Sequence, residues 1–385
     1  MPESARSLLH KLVAYDTTSR NSNLELIDFV QNYLSEFNVE SQLVHDATGE
    51  KANLYATIGP MDKPGVMLSG HTDVVPVDGQ DWSTNPFELV EADAKLYARG
   101  SADMKGFIAC VLAAVPTMAS ANLHTPVHLA FSYDEEIGCI GVRTLIDMLE
   151  HHTLKPAMAI IGEPTSMQVV IGHKGKCAYE VTVTGANAHS AYTTEGVNAV
   201  IYAARLIQFV HDLQQRIVSD GPHDDDYRVP YSTLHIGTMN GGTAANIVPS
   251  NCRFDLEIRH LPQQDPAALV QEIEQFAATQ LLPEMRTVYP EADIAIVQRN
   301  QYPGLFTAPE AEVVEFVKGL LGDRTHGKVS FGTEGGLFSA RLGIPAVVCG
   351  PGSILQAHRA DEYVSIDQLA QCDRLLTRLI AALSD

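Results

Sequence analysis

Through the first half of the chain, short apolar runs alternate with stretches whose apolar positions recur at helical spacing. Leu8 to Val13, Leu24 to Phe37 and Lys105 to Met118 read as helices. Between them, Asn53 to Ile58, Val66 to Ser69, Val127 to Ser132 and Ala157 to Ile161 are too short for helices and are bounded by polar or turn residues, so they read as strands. Phe87 to Tyr97 reads as a hairpin. Strands alternating with helices predict βαβ units and a mainly parallel sheet.

Near Cys177 the period changes. Tyr179 to Thr184 alternates apolar with polar, the mark of a half-solvated strand. A long amphipathic helix follows at Val197 to Ile217, then strands at Thr233 to Gly237 and Arg253 to Arg259, a helix at Pro266 to Leu282 and a strand at Ile294 to Gln298. The order β-α-β-β-α-β is that of a ferredoxin-like unit. Residues 178–299 are therefore expected to form an insert in an α/β domain built from residues 1–177 and 300–385. Helix Glu310 to Leu321, strand Pro345 to Cys349 and helix Ile366 to Leu383 complete the outer domain.

Composition fits this picture. The 385 residues suffice for two domains at roughly 100 to 200 residues each. A net charge of -21 argues against nucleic acid and anionic membrane as partners, because neither is attracted to an acidic surface. No apolar run approaches the roughly 20 residues that span a bilayer. The start, MPESARSLLHKL, has no signal-peptide core, so a cytoplasmic protein is expected. The six cysteines form no C-x-x-C pair and read as buried or half-buried thiols. The tract His223-Asp224-Asp225-Asp226 reads as a solvated loop.

Chemistry enters at the strand ends. His71 follows the run Val66 to Ser69, and Asp73, two residues on, is placed to hold its second ring nitrogen. Val127 to Ser132 runs into Glu135 and Glu136, Ala157 to Ile161 into Glu163, and Pro345 to Cys349 on to His358. Asp103 precedes the Lys105 helix, as cap or as ligand. Parallel strands gather their carboxyl ends at one edge, so these side chains can converge. Imidazoles and carboxylates without thiolates suit zinc, cobalt or manganese. Two histidines and three carboxylates exceed one catalytic zinc site but suffice for two ions if Asp103 bridges them. Of the pair Glu135 and Glu136, one can bind metal while its neighbour serves as base.

The stretches SGHTDVVPVDGQDW, LYARGSADMKGF, SYDEEIGCIG, IIGEPT, GANAHSA and GPGSILQAHRADEYV jointly resemble the M20 metallopeptidase and deacylase family, in the family's order along nearly the whole chain. The resemblance implies two zinc ions, with cobalt as a possible substitute, in an α/β catalytic domain with a ferredoxin-like lid and dimerisation insert. It implies that His71 and Glu163 hold one ion, Glu136 and His358 the other, that Asp103 bridges them, that Asp73 orients His71, and that Glu135 is the general base. It further implies that His189 of the insert steadies the oxyanion in a partner subunit, and that Asn246 and Arg259 hold a substrate carboxylate. The expected substrate is an N-acylated amino acid, foremost N2-acetyl-L-ornithine; the alternatives are succinyl-diaminopimelate or the substrates of other aminoacylases and dipeptidases of the family, and, in another class, a non-catalytic relative that binds amino acids. Gly332 to Gly336 reads as a glycine-rich turn, and Glu334 within it is the candidate partner for the cationic δ-amine of an ornithine side chain.

Overall fold

Val66–His71, Val127–Ser132, Met158–Pro164 and Ala346–Gly350 are strands buried along their whole length. Apolar runs without alternation form strands of this kind when both faces of a sheet are covered. In the computed structural model, which describes residues 3–384, they are the four central strands of a nine-stranded sheet. Its order is Ser41–His45, Ala52–Ile58, Val127–Ser132, Val66–His71, Met158–Pro164, Ala346–Gly350, Val170–His173 and Leu305–Phe306, with Gly327–Val329 paired to Val170–His173. The four central strands run parallel to one another, and Ala52–Ile58 and Val170–His173 flank them antiparallel. All four carboxyl ends therefore open on the same edge.

Helix Lys105–Ser120 lies against this sheet, and its fit depends on one glycine. A Cβ on Gly162 would stand 2.0 Å from the Phe107 ring, so only glycine lets the helix approach the strand that carries Glu163. The hairpin expected at Phe87 to Tyr97 is present as Val90–Ala92 and Lys95–Tyr97, and Tyr363–Ser365 adds a third strand.

The chain divides into two compact units. The second comprises His173–Gly304 and Val329–Gly332, a few residues wider at each end than the insert expected at 178–299. The reason is strand pairing: its first long strand, Gly175–Thr184, starts before the alternating pattern does and pairs with its last strand, Asp293–Tyr302, out to Lys176 opposite Tyr302. Its four-stranded antiparallel sheet has the order Thr233–Gly241, Asn251–His260, Gly175–Thr184, Asp293–Tyr302. Helices Ala199–Asp220 and Pro266–Phe276 connect the strands in the β-α-β-β-α-β order, over a separate apolar core that includes Val181, Leu206, Phe254 and Ile273.

Two helices differ from expectation. The helix at Pro266 does not run unbroken to Leu282; it passes through a π turn at Ala277–Leu281 and restarts as Leu282–Val288. Pro283 sits in the first turn of that restart, where its missing N–H is tolerated. The glycine-rich turn at Gly332 to Gly336 instead opens a helix, Gly335–Leu342, whose first amide donates to the Thr333 hydroxyl.

Candidate metal centre

His71 ends its buried strand with Nδ1 donating to the backbone carbonyl of Asp73 at 2.9 Å. This bond fixes the tautomer and leaves Nε2 facing Asp103 Oδ1 at 3.1 Å and Glu163 Oε1 at 3.7 Å. On the other side of Asp103, its Oδ2 stands 3.4 Å from His358 Nε2, which also lies 3.0 Å from Glu136 Oε2. One carboxylate thus turns one oxygen toward each histidine. His71 with Glu163 occupies one flank of Asp103, and Glu136 with His358 the other.

The four strand ends bring these groups together, each by a different local device. Glu163 is itself a strand residue. Glu135 and Glu136 follow a reversal at Asp134, whose φ of 53° turns the chain over the sheet edge. His358 lies in the loop after Ala346–Gly350 with φ 61°, its side chain 51% exposed while His71 is 1% exposed.

Asp73 supports the centre through more contacts than the sequence suggests. Its carboxylate is 3.5 Å from His71 Nδ1, because its oxygens are taken by the Ser19 hydroxyl at 2.7 Å and by the backbone N–H groups of Glu135 at 3.1 Å and Glu136 at 3.3 Å. The carbonyl of Asp73 orients the ring, and its carboxylate holds the neighbouring loop. Ser19 gave no signal in the sequence, since its contact spans 54 residues.

Burial and mutual repulsion dominate the electrostatics. Burial, then the charge of Asp103, raises Glu163 to about 8 and Glu136 to about 7. Glu135 is pushed well up by burial and by Glu163. For Asp103 burial acts upward, but hydrogen bonds from His358 and His71 hold it below the usual carboxylate range. Bonds to Asp103 and Glu136 raise His358 to about 11. Four carboxylates enclosed with two imidazoles is a donor set that cations relieve, and His71, Glu135 and Glu163, and His71, Asp103 and Glu136, each lie close enough together to share an ion. The residues present thus fit metal ions of the zinc, cobalt or manganese kind.

Glu135 lies within reach of His71 and Glu163. Its Oε1 accepts from the Cys139 thiol at 3.2 Å, a contact between residues four apart within SYDEEIGCIG. All six cysteines are free and buried.

Glu334 departs from expectation. It is 1% exposed, with Oε1 accepting from Ser69 at 2.6 Å and Oε2 from Ser132 at 2.7 Å. A carboxylate with both oxygens engaged at two strand ends braces those strands and is not presented to a substrate amine.

In the second unit, His189 is exposed and caps a short helix, its Nδ1 accepting from the Ala191 N–H. Asn246 is exposed on the adjoining segment, its carbonyl accepting from the Ser190 N–H. Arg259 is half-buried and paired with Glu257 at 2.6 Å. It sits at the far end of strand Asn251–His260, so His189 and Asn246 share one end of the sheet while Arg259 stands at the other.

Comparison with known proteins agrees with this architecture. The chain is 37% identical over 381 residues to a protein of Myxococcus xanthus named acetylornithine deacetylase, covering 98% of this chain and 96% of that one. It is 33% identical over 364 residues to a protein of Pasteurella multocida of the same name, covering 93% and 91%. The aminopeptidase PepT of Bacillus cereus superimposes with a TM-score of 0.77 at 20% identity, over 100% of this chain and 99% of that one. Fold, donor set and relatives together define a hydrolase with a site suited to metal ions. The chain belongs to the peptidase family M20/M25/M40, whose model matches residues 67–382.

Among the described residues no helix is long and apolar enough to cross a membrane.

Proposed function

We propose that this chain removes the acetyl group from N2-acetyl-L-ornithine, releasing acetate and L-ornithine, as a cytoplasmic step of arginine biosynthesis. The observation that carries the amide-hydrolase part is Asp103, whose two oxygens face His71 at 3.1 Å and His358 at 3.4 Å. The substrate is supported by the near full-length similarity to the Myxococcus xanthus relative.

His71 with Glu163, and Glu136 with His358, would each hold one zinc ion, Asp103 serving both, and cobalt could substitute. Bound ions of this kind polarise a carbonyl and lower the pKa of water toward about 7. Glu135 takes the proton of the attacking water at its carboxylate and passes it to the departing α-amine. A carboxyl group held above its usual range by burial and by Glu163 suits a group that must both accept and give a proton near neutral pH. Asp73 keeps the His71 ring and the Glu135 backbone in place during the transfer.

Arg259 binds the substrate carboxylate through its planar fork. His189 and Asn246 lie at the other end of the same sheet, which supports their serving a second copy of the chain in a homodimer formed through the insert. His189 there donates to the developing oxyanion.

Amine release by the zinc-loaded protein tests the substrate. N2-acetyl-L-ornithine should give the highest kcat/KM when compared with succinyl-diaminopimelate and a simple dipeptide. A higher value for succinyl-diaminopimelate overturns the substrate while leaving the hydrolytic reading intact.

A further inference from the structure

We infer that the buried ion pair of Arg99 and Glu362 is a positioning device for one half of the metal centre, holding Asp103 and His358 in register. This inference deepens the two-metal reading of the site and rests on it.

Arg99 and Glu362 are each 1% exposed and meet at 2.6 Å. The carboxylate of Glu362 divides its work. Oε2 takes the guanidinium, while Oε1 accepts the successive backbone N–H groups of Ala102 at 3.0 Å and Asp103 at 3.1 Å. Two amides on one oxygen fix the direction in which the Asp103 side chain leaves the backbone. The guanidinium reaches the opposite way, donating to the carbonyl of Arg359 at 3.2 Å and to Gln80 Oε1 at 2.5 Å. Gln80 in turn donates to the carbonyl of His358 at 3.2 Å. The Trp82 ring covers the guanidinium at 5.0 Å and donates its own N–H to the same Gln80 oxygen. Two consecutive carbonyls, those of His358 and Arg359, are thereby tied to the pair that orients Asp103.

The two flanks of the centre differ in what holds them. His71 and Glu163 belong to buried strands of the main sheet, whose ladders place them. His358 has no strand beneath it; it lies in a loop at φ 61° with a half-exposed ring. A buried ion pair adds little net stability compared with packed apolar side chains. A planar fork that meets a carboxylate, a carbonyl and an amide oxygen at once supplies direction, which a loop-borne ligand lacks. The Arg99 and Glu362 pair is therefore a positioning element for the Glu136 and His358 flank.

Zinc binding by the whole chain tests this, read by competition with a chromophoric chelator and by metal content after dialysis. The wild type should take up two ions. Glu362→Gln, which keeps the shape and removes the charge, should weaken both ions, because Asp103 serves both, but the ion at His358 more, by about tenfold or more, the scale on which supporting residues act on metal affinity. Gln80→Ala leaves the buried pair in place and guards against misfolding: it should weaken the same ion, with thermal unfolding in excess chelator unchanged. Affinities for the ion at His358 within twofold of wild type in both variants would overturn the inference, as would equal weakening of both ions. A wild type that binds a single ion defeats the two-metal reading itself, a result distinct from either.

Discussion

The carboxylate of Asp73 accepts the backbone N–H of Glu136 at 3.3 Å and, through its other oxygen, that of Glu135 at 3.1 Å. A residue two positions beyond one metal-competent histidine thus sets the loop that carries the opposite flank's carboxylate and the proposed base. Asp73→Asn keeps the backbone carbonyl that orients His71 but offers only one accepting oxygen where two are used. It should lower kcat about 10- to 100-fold, the usual cost of losing such support. Steady-state kinetics of the zinc-loaded variant, with metal content measured alongside, checks it; unchanged kcat would mean that the loop holds itself.

Glu135→Gln should leave the zinc content unaltered and reduce turnover by about 10² to 10⁴, since general acid-base work is of that size. Hydrolysis of acetylornithine by metal-replete protein is the measurement. Substantial retained turnover would transfer the base to another group.

Removing and restoring the metal should move protons. His71 to Asp103 at 3.1 Å and His358 to Glu136 at 3.0 Å are contacts that need a proton between the partners. Ligands must be deprotonated to bind a cation, so zinc uptake at pH 7 should release protons and tighten as pH rises. Titration calorimetry in buffers of different ionisation heat reads this directly, and an enthalpy independent of buffer would contradict it.

His128 governs stability away from the centre. It is buried at the start of strand Val127–Ser132, with Nδ1 2.9 Å from the Tyr55 hydroxyl and 3.0 Å from that of Thr57. Burial, and then nearby His152, lower it from 6.5 to about 4. The folded state favours the neutral ring, so this contribution is complete above about pH 6.5 and is lost as pH falls toward about 4. Between pH 7 and 5 the loss is about 2 kcal/mol. Urea unfolding of chelator-treated protein should therefore show His128→Gln losing less stability than wild type over that interval; parallel loss would disprove the assignment.

Sequence pattern carried the central fold because four of its strands are buried on both faces and are mostly apolar without alternation, as Val66 to Leu68 and Ala157 to Ile161 are. The side chains following those strands were legible for the same reason, since parallel strands share one open edge. What tertiary contact decides was not. Helix Gly335–Leu342 is short and begins with two glycines, so helix propensity argued against it. Glu334 looked accessible in a glycine-rich stretch and is enclosed by Ser69 and Ser132, residues 265 and 202 positions away. The carboxylate of Asp73, expected on its neighbour His71, stands 3.5 Å from that ring and also holds a loop 62 residues on, which no local spacing shows.

The pairing of Lys176 with Tyr302 joins the first and last strands of the second unit, and a Cβ on Gly304 would stand 3.0 Å from the backbone nitrogen of Gly175. Entry and exit of the excursion are thus neighbours. To the rest of the chain, everything between them has the footprint of a hairpin, whatever its length. Closing such a gap costs little chain entropy. The insert is therefore a cassette: the chain between Gly175 and Gly304 can change in length without changing the gap between the points where it enters and leaves.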